Sequence, residues 1–177
     1  MKNILCTICA RSGSQEIKNK NIIKINGHPL FSYTLNQAKQ ISFIDNIVLS
    51  TDSKKISNQF SKYGLDSFFL RSKKLSISSS GKLPVIRDAL YRSEKYYDKK
   101  FDYIIDLDIT SPLRTIKDIK AAYKKFIKDD ADNLITVCNA KKNPYFNMVE
   151  YNKNTLKLVK PSKKILSRQA APLVYEM

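Results

Sequence analysis

Cations, small hydroxyls and a glycine crowd into one stretch of the sequence, Arg11-Ser12-Gly13-Ser14-Gln15-Glu16-Ile17-Lys18-Asn19-Lys20-Asn21. Backbone N–H groups around Ser12-Gly13-Ser14 are expected to form an anion-binding concavity, with Gly13 taking backbone angles closed to other residues and Arg11 and Lys20 adding charge. The chemistry that suits such a loop is the holding of phosphates. For Arg11 and Lys20 the bland alternative is simple solvation. Just upstream, Cys6-Thr7-Ile8-Cys9 has the spacing of a redox or zinc pair. On an extended strand those two thiols point to opposite faces, and no second pair completes a metal site, which favours core packing. His28, the one histidine, lies between Gly27 and Pro29 and reads as structural.

The elements that must position this loop follow from periodicity. Residues 4–10 are a short apolar run that breaks at once into the polar loop, the pattern of a buried strand delivering a loop to the edge of a parallel sheet, where ligands sit in open α/β folds. Residues 22–25 read as a strand-like piece, Asn26-Gly27 as a turn, and Pro29 as the start of a helix carrying Leu30, Tyr33, Thr34, Ala38 and Ile41. A strand is expected over 46–50, then a helix with Ile56, Phe60 and Tyr63 on one face, capped by Asp52 or Ser53 and stopped by Gly64. Strands are also expected over 66–70, ending on Arg71, over 101–107 and over 133–137. Helices are expected from about 82 and over 115–128. The serine-rich segment 75–81 suits either a ligand-covering loop or a plain connector. Strands alternating with helices place the chain in the α/β class, with a mostly parallel sheet covered by helices on both faces. After Cys138 the pattern changes to a hairpin around Asn152-Lys153-Asn154, whose exposed apolar residues call for a covering surface, best supplied by a second copy of the chain.

Composition bounds the rest. A chain of 177 residues, 42% hydrophobic, is long enough for one domain with a real core. No apolar run reaches the roughly 18 residues of a membrane span, and the N-terminus lacks signal-peptide character, so no membrane association and a cytoplasmic location are expected. Three cysteines fit a reducing compartment. The net charge of +16 invites a nucleic-acid reading, but 26 of the 32 cations are lysines, spread as pairs such as Lys73-Lys74, Lys99-Lys100 and Lys163-Lys164. Scattered pairs favour solvated surface over a binding stripe, so no nucleic-acid partner is expected.

Ile8-Cys9-Ala10-Arg11-Ser12-Gly13-Ser14 with Lys20-Asn21-Ile22 resembles the signature of the acylneuraminate cytidylyltransferases. Ser50-Thr51-Asp52-Ser53, Lys62-Tyr63-Gly64, Phe69-Leu70-Arg71, Thr110-Ser111-Pro112-Leu113-Arg114, Asn143-Pro144-Tyr145 and Arg168-Gln169 follow in the family's order, so the resemblance spans nearly the whole chain. Residues 82–90 and 106–112 look more like the bacterial branch acting on legionaminic acid. The resemblance implies a Rossmann-like nucleotidyltransferase fold and transfer of CMP from CTP to a nonulosonic acid. It also implies pyrophosphate release, a divalent metal, normally Mg²⁺, and a homodimer. It divides the chain into a nucleotide-binding α/β part, 1–140, and a dimerisation and sugar-binding segment, 141–177, of the same domain.

Residue by residue, the resemblance implies nucleotide contacts from Ala10, Arg11, Gly13, Ser14, Lys20, Asn21, Arg71, Ser80 and Lys82, with Arg11 and Lys20 in the catalytic role. Asn21 is alternatively an Asx cap, and Arg71 a salt bridge at the sheet edge. Asp108, with Asp106 either as its partner or closing a turn, stands where the wider fold places a metal-binding carboxylate; a helix N-cap is the equal alternative for Asp108. Asp108, Thr110, Arg168, Gln169 and Tyr175 match positions that hold the sugar acid. Gln15, Glu16 and Lys18 depart from the signature, and Glu16 brings negative charge towards a triphosphate. Family members continue past Tyr175-Glu176-Met177 through a strand and an acidic pair. The chain is therefore expected to be either a fragment or the product of a shortened gene. The alternatives are a nucleotide-binding but catalytically incomplete protein, or an enzyme acting on a 3-deoxy-manno-octulosonate-type acid.

Overall fold

A computed structural model describes residues 2–14, 16–162 and 165–177, which leaves Gln15 and the Lys163-Lys164 pair outside the described residues. The chain divides into two compact units, Met1–Ala121 and Ala122–Met177.

The first unit is built on β1 (Ile4–Cys9), the middle strand of a parallel sheet of order β4-β1-β5, with β4 at Asn46–Ser50 and β5 at Tyr103–Asp106. Being central, β1 must be apolar on both faces, and Ile4, Leu5, Cys6 and Ile8 are all buried. The alternation of a strand then sorts its side chains. Cys6 and Ile8 pack with Phe31 and Leu35 of α1 (Leu30–Lys39), Phe60 of α2 (Lys54–Ser61) and Ile119 of α4 (Ile116–Lys128). Leu5 faces the other way, with Val48 and Ala89 of α3 (Lys82–Tyr97). Helices thus cover both faces, as the alternating pattern predicts. Phe31 and Phe60 stack with ring centroids 3.9 Å apart, joining α1 to α2 at the centre of the larger core.

Local signals act where expected. Asn26 and Gly27 both have positive φ and turn β2 (Lys24–Ile25) into β3 (His28–Pro29). Pro29 precedes the first turn of α1. Ser53, rather than Asp52, caps α2, its hydroxyl accepting from the Ile56 amide, and Gly64 follows that helix at φ 73. Thr115 and Asp118 cap α4 reciprocally: the Asp118 amide donates to the Thr115 hydroxyl, and the Thr115 amide donates to the Asp118 carboxylate.

Three strand expectations are corrected. Residues 66–70 form no strand; the segment is anchored beside β4 by the Arg71 amide donating to Thr51 O at 2.7 Å and by the Ser67 hydroxyl, without a ladder. Residues 20–22 form a single 3-10 turn, so only Lys24 and Ile25 of the 22–25 piece pair. Residues 133–137 are mostly exposed coil, since β-branched side chains do not make a strand without a neighbour to pair with.

In the second unit, β6 (Cys138–Asn139) pairs with β9 (Tyr175–Glu176), and β7 (Val149–Asn152) with β8 (Thr155–Leu158) as an antiparallel hairpin turning at Lys153 and Asn154, both at positive φ. Cys138 is exposed, so it does not share the core placement of Cys6. Asn143 organises this unit: its carboxamide receives the Tyr145 amide and donates to Pro172 O. No helix among the described residues is long and apolar enough to cross a membrane.

Candidate active site

The C-terminal ends of β1, β4 and β5 lie side by side, and each delivers a loop to the same edge. After β4, Asp52 receives both the backbone amide of Ser12 at 2.8 Å and its hydroxyl at 2.6 Å. Burial alone would raise the Asp52 carboxyl, but the two Ser12 donors outweigh it and hold the group below the usual 3.8. The loop after β1 is therefore clamped by an ionised acid just beyond the neighbouring strand.

Arg71 lies behind that clamp. It is 6% exposed, its Nη2 is 4.0 Å from Asp52 Oδ1, and its Nε and Nη2 have no hydrogen-bond partner among the described residues. Burial lowers its pKa, but a guanidinium stays charged at any physiological pH. A buried cation with open donors is costly unless something fills them. The expected salt bridge at the sheet edge thus exists only as this long contact, and the donors suit an anionic or strongly accepting ligand.

The acids of β5 are already paired. Lys82, the first residue of α3, places its ammonium 2.6 Å from Asp106 Oδ2 and 2.5 Å from Asp108 Oδ1. Asp106 is oriented from behind by the Thr7 hydroxyl at 2.7 Å. Burial pulls the Lys82 pKa down, but the carboxylates, Asp106 foremost, outweigh it and hold it above 10.5. The two acids share a face, as their alternation implies. The N-cap alternative for Asp108 is corrected: α4 begins at Ile116 and carries its own cap, while the Asp108 carboxylate holds Lys82. Two convergent carboxylate oxygens that already hold a cation fit a hard divalent ion whose remaining ligands are phosphates and water. Among the described residues no group of three or more acids, histidines or cysteines could hold a metal alone.

Asn21 is 6% exposed and its side-chain amide donates to Arg11 O at 2.9 Å, so it latches the loop from beneath. The role expected of Gly13 is corrected. Its φ is outside the left-handed region and an added Cβ would meet open space, so neither the backbone angle nor crowding calls for a glycine there. Ser14 and Lys20 are half-buried, Glu16 is exposed, and Ala10 is buried with its amide donating to Ser50 O. Arg11 reaches Ile77 O at a long 3.5 Å, towards the serine-rich segment. That segment is folded into turns, with the Ser80 amide donating to Ile77 O. Thr110 is exposed on the loop after β5. Arg114, to which no contact role was assigned, ties that loop to α1 through Thr34, Gln37 and Asp108 O; its place in Thr110-Ser111-Pro112-Leu113-Arg114 was the available signal.

The Cys6 thiol is pushed far up by burial, and Cys9 up to about 12 by burial and by the Asp106 carboxylate. Neither is a nucleophile at neutral pH, in keeping with core packing. His28 is exposed and meets Tyr33 edge-on at 6.5 Å.

In the second unit, Arg168 and Gln169 form a 3-10 turn capped by the Ser167 hydroxyl, and Tyr175 pairs with Asn139 in β9. Arg168 lines a cleft of about 270 Å³ with Asn139, Lys141, Lys142, Asn143 and Asn147, a set of cations and amides suited to a polar acid. Gln169 and Tyr175 are exposed.

A family profile described as Cytidylyltransferase matches residues 5–176. The chain is 47% identical, over its whole length, to the CMP-N,N'-diacetyllegionaminic acid synthase of Campylobacter jejuni, and 46% identical to the post-translational flagellin modification protein B of Campylobacter coli, spanning 75% of each relative. Among solved structures it resembles a CMP:2-keto-3-deoxy-manno-octonic acid synthetase complexed with CTP, with a TM-score of 0.59 at 19% identity. That match covers 73% of this chain and 49% of the synthetase chain, about half its length, and establishes the shared Rossmann-like fold.

Proposed function

The chain belongs to the cytidylyltransferase family of nucleotidyltransferases, and from that premise we propose that it transfers CMP from CTP to a nonulosonic acid of the legionaminic type, releasing pyrophosphate. One observation carries the reading: Arg71 is buried at the sheet edge with two guanidinium nitrogens lacking hydrogen-bond partners. An apolar ligand would leave those donors open. A nucleotide fills them.

In nucleotidyl transfer the anomeric hydroxyl of the sugar acid attacks the α-phosphorus in line. The bond from phosphorus to the β-bridging oxygen breaks, and pyrophosphate leaves. Such a reaction asks for positioning and charge neutralisation more than covalent help. The Ser12 amide is taken by Asp52 and the Ser14 amide by Ser12 O, so of the expected concavity the Gly13 amide, with Arg11 and Lys20, holds the phosphates, and Asp52 and Asn21 keep that loop in shape. Ala10, Ser80 and Lys82 border the nucleotide. Mg²⁺, held by Asp108 with Asp106 and the triphosphate oxygens, would neutralise charge on the phosphates. Asp108 and Thr110 address the sugar. A reaction that consumes CTP belongs in the cytoplasm, where CTP is made.

We also propose a homodimer. The hairpin pairs Val149 with Leu158 and Tyr151 with Leu156 across one face, and Val149, Tyr151 and Leu156 are 56%, 72% and 67% exposed. Covering such surface is worth roughly 25 cal/mol per Å².

The decisive experiment measures pyrophosphate release by the purified chain with CTP, Mg²⁺ and a panel of nonulosonic acids. Release with legionaminic-type acids is expected. Calorimetric CTP binding without release from any acid would leave a nucleotide-binding protein and overturn the transferase reading.

A further inference from the structure

Lys82 meets the acids from outside their own element. It is the first residue of α3, Asp106 ends β5, and Asp108 lies two residues beyond. The Lys82 ammonium nevertheless bridges them at 2.6 and 2.5 Å. On Asp106 the oxygen it takes is the one a metal would need. Asp106 Oδ1 is engaged by the Thr7 hydroxyl, which leaves Oδ2, and Oδ2 is the atom that Lys82 holds.

We propose that Lys82 is an internal counter-cation for the Asp106–Asp108 pair, which a divalent ion must displace before it can bind there. A divalent ion at about 2.1 Å and an ammonium at hydrogen-bond distance cannot share the same two oxygens, because the two positive charges would lie against each other. Displacement is physically open to Lys82. Its side chain is 43% exposed and rides on a flexible four-carbon stem. Once freed, the ammonium needs another anion, and a triphosphate offers one. Metal and nucleotide then favour each other's binding: the nucleotide draws Lys82 off the carboxylates and the metal takes its place, a coupling that is reciprocal by linkage. Without nucleotide, the lysine keeps the acids neutralised and the divalent ion out.

The inference rests on the proposed triphosphate chemistry only for the identity of the cation, and its test involves no turnover. Mn²⁺ is titrated calorimetrically into the whole chain at neutral pH without nucleotide. Lys82→Gln, which keeps an unbranched stem and polarity but not charge, is expected to bind Mn²⁺ about tenfold tighter or more. Lys82→Arg is expected to stay as weak as the unsubstituted chain, and Asp108→Asn added to Lys82→Gln to abolish the gain. An affinity for Lys82→Gln equal to or weaker than that of the unsubstituted chain overturns the proposal, as does a gain that survives Asp108→Asn. Circular dichroism checks that each variant is folded. Should Lys82→Gln not fold, Lys82→Met gives the same readout with the same two outcomes. Pyrophosphate release by the unsubstituted chain, measured separately, separates failure here from failure of the transferase reading.

Discussion

Ser12 gives both its amide and its hydroxyl to the carboxylate of Asp52, at 2.8 and 2.6 Å, so the loop leaving one strand is shaped by an acid on the loop leaving its neighbour. The two strands are adjacent and parallel, which brings their C-terminal ends to one place. Because the folded-state pKa of Asp52 lies below 3.8, its stabilising contribution is fully present above the unfolded value. It is lost as pH falls through the folded one. Asp52→Asn should melt earlier than the parent at pH 6, and the gap in melting temperature should close as pH is lowered below about 3.9. A constant gap down to pH 2 would show that the ionised form is not what Ser12 holds.

Arg71 should separate binding from stability. Replacing it with Met removes a buried cation that lacks hydrogen-bond partners, so the melting temperature should hold or rise. The same change deletes charge-assisted hydrogen bonds to the nucleotide, worth about 1.5–3 kcal/mol, so calorimetry should find CTP affinity about 10- to 100-fold weaker. A large drop in stability with unchanged CTP affinity would assign Arg71 to the scaffold.

Phe31→Ala removes the ring stacked on Phe60 at the centre of the larger core. Unfolding by urea should show a loss of about 3–5 kcal/mol. Tyr151→Glu, on the exposed hairpin face, should leave that midpoint nearly unchanged at low protein concentration. In sedimentation it should shift the chain from dimer to monomer. A chain that sediments as a monomer before the substitution would remove the case for the hairpin as a dimer contact.

The three thiols should differ in reactivity. Iodoacetamide at pH 8 should label Cys138, which is exposed, while Cys6, buried, and Cys9, half-buried, both with raised pKa values, stay unlabelled until the chain is unfolded. Early modification of Cys9 would mean that the strand-end environment is more open than its packing implies.

Much of the first unit was legible because its signals are local. The apolar run ending at Ala10 announces β1, Asn26-Gly27 the turn between β2 and β3, and the spacing of Ile116, Ile119 and Tyr123 the helix α4. The expected strands over 66–70 and 133–137 fail for a common reason: β-propensity states only that a residue suits a pleated surface, and the pairing partner must come from elsewhere in the chain. Residues 66–70 touch β4 by isolated bonds, and most of 133–137 is left in solvent.

The candidate site divides along the same line. The sequence by itself determined which chemistry was on offer: a phosphate-suited loop from Arg11 to Asn21, acids at 106 and 108 alternating on one face, and an ordered series of motifs reaching Arg168. Only the tertiary structure decided how those groups are held. It buries Arg71 with open donors, turns Asn21 inward as a latch, leaves Gly13 without the special backbone angle expected of it, and closes Lys82 onto the acid pair. Residue types and short-range periodicity are local properties of the chain, whereas burial and ion pairing depend on parallel strands that place positions 12 and 52, or 82 and 106, against one another.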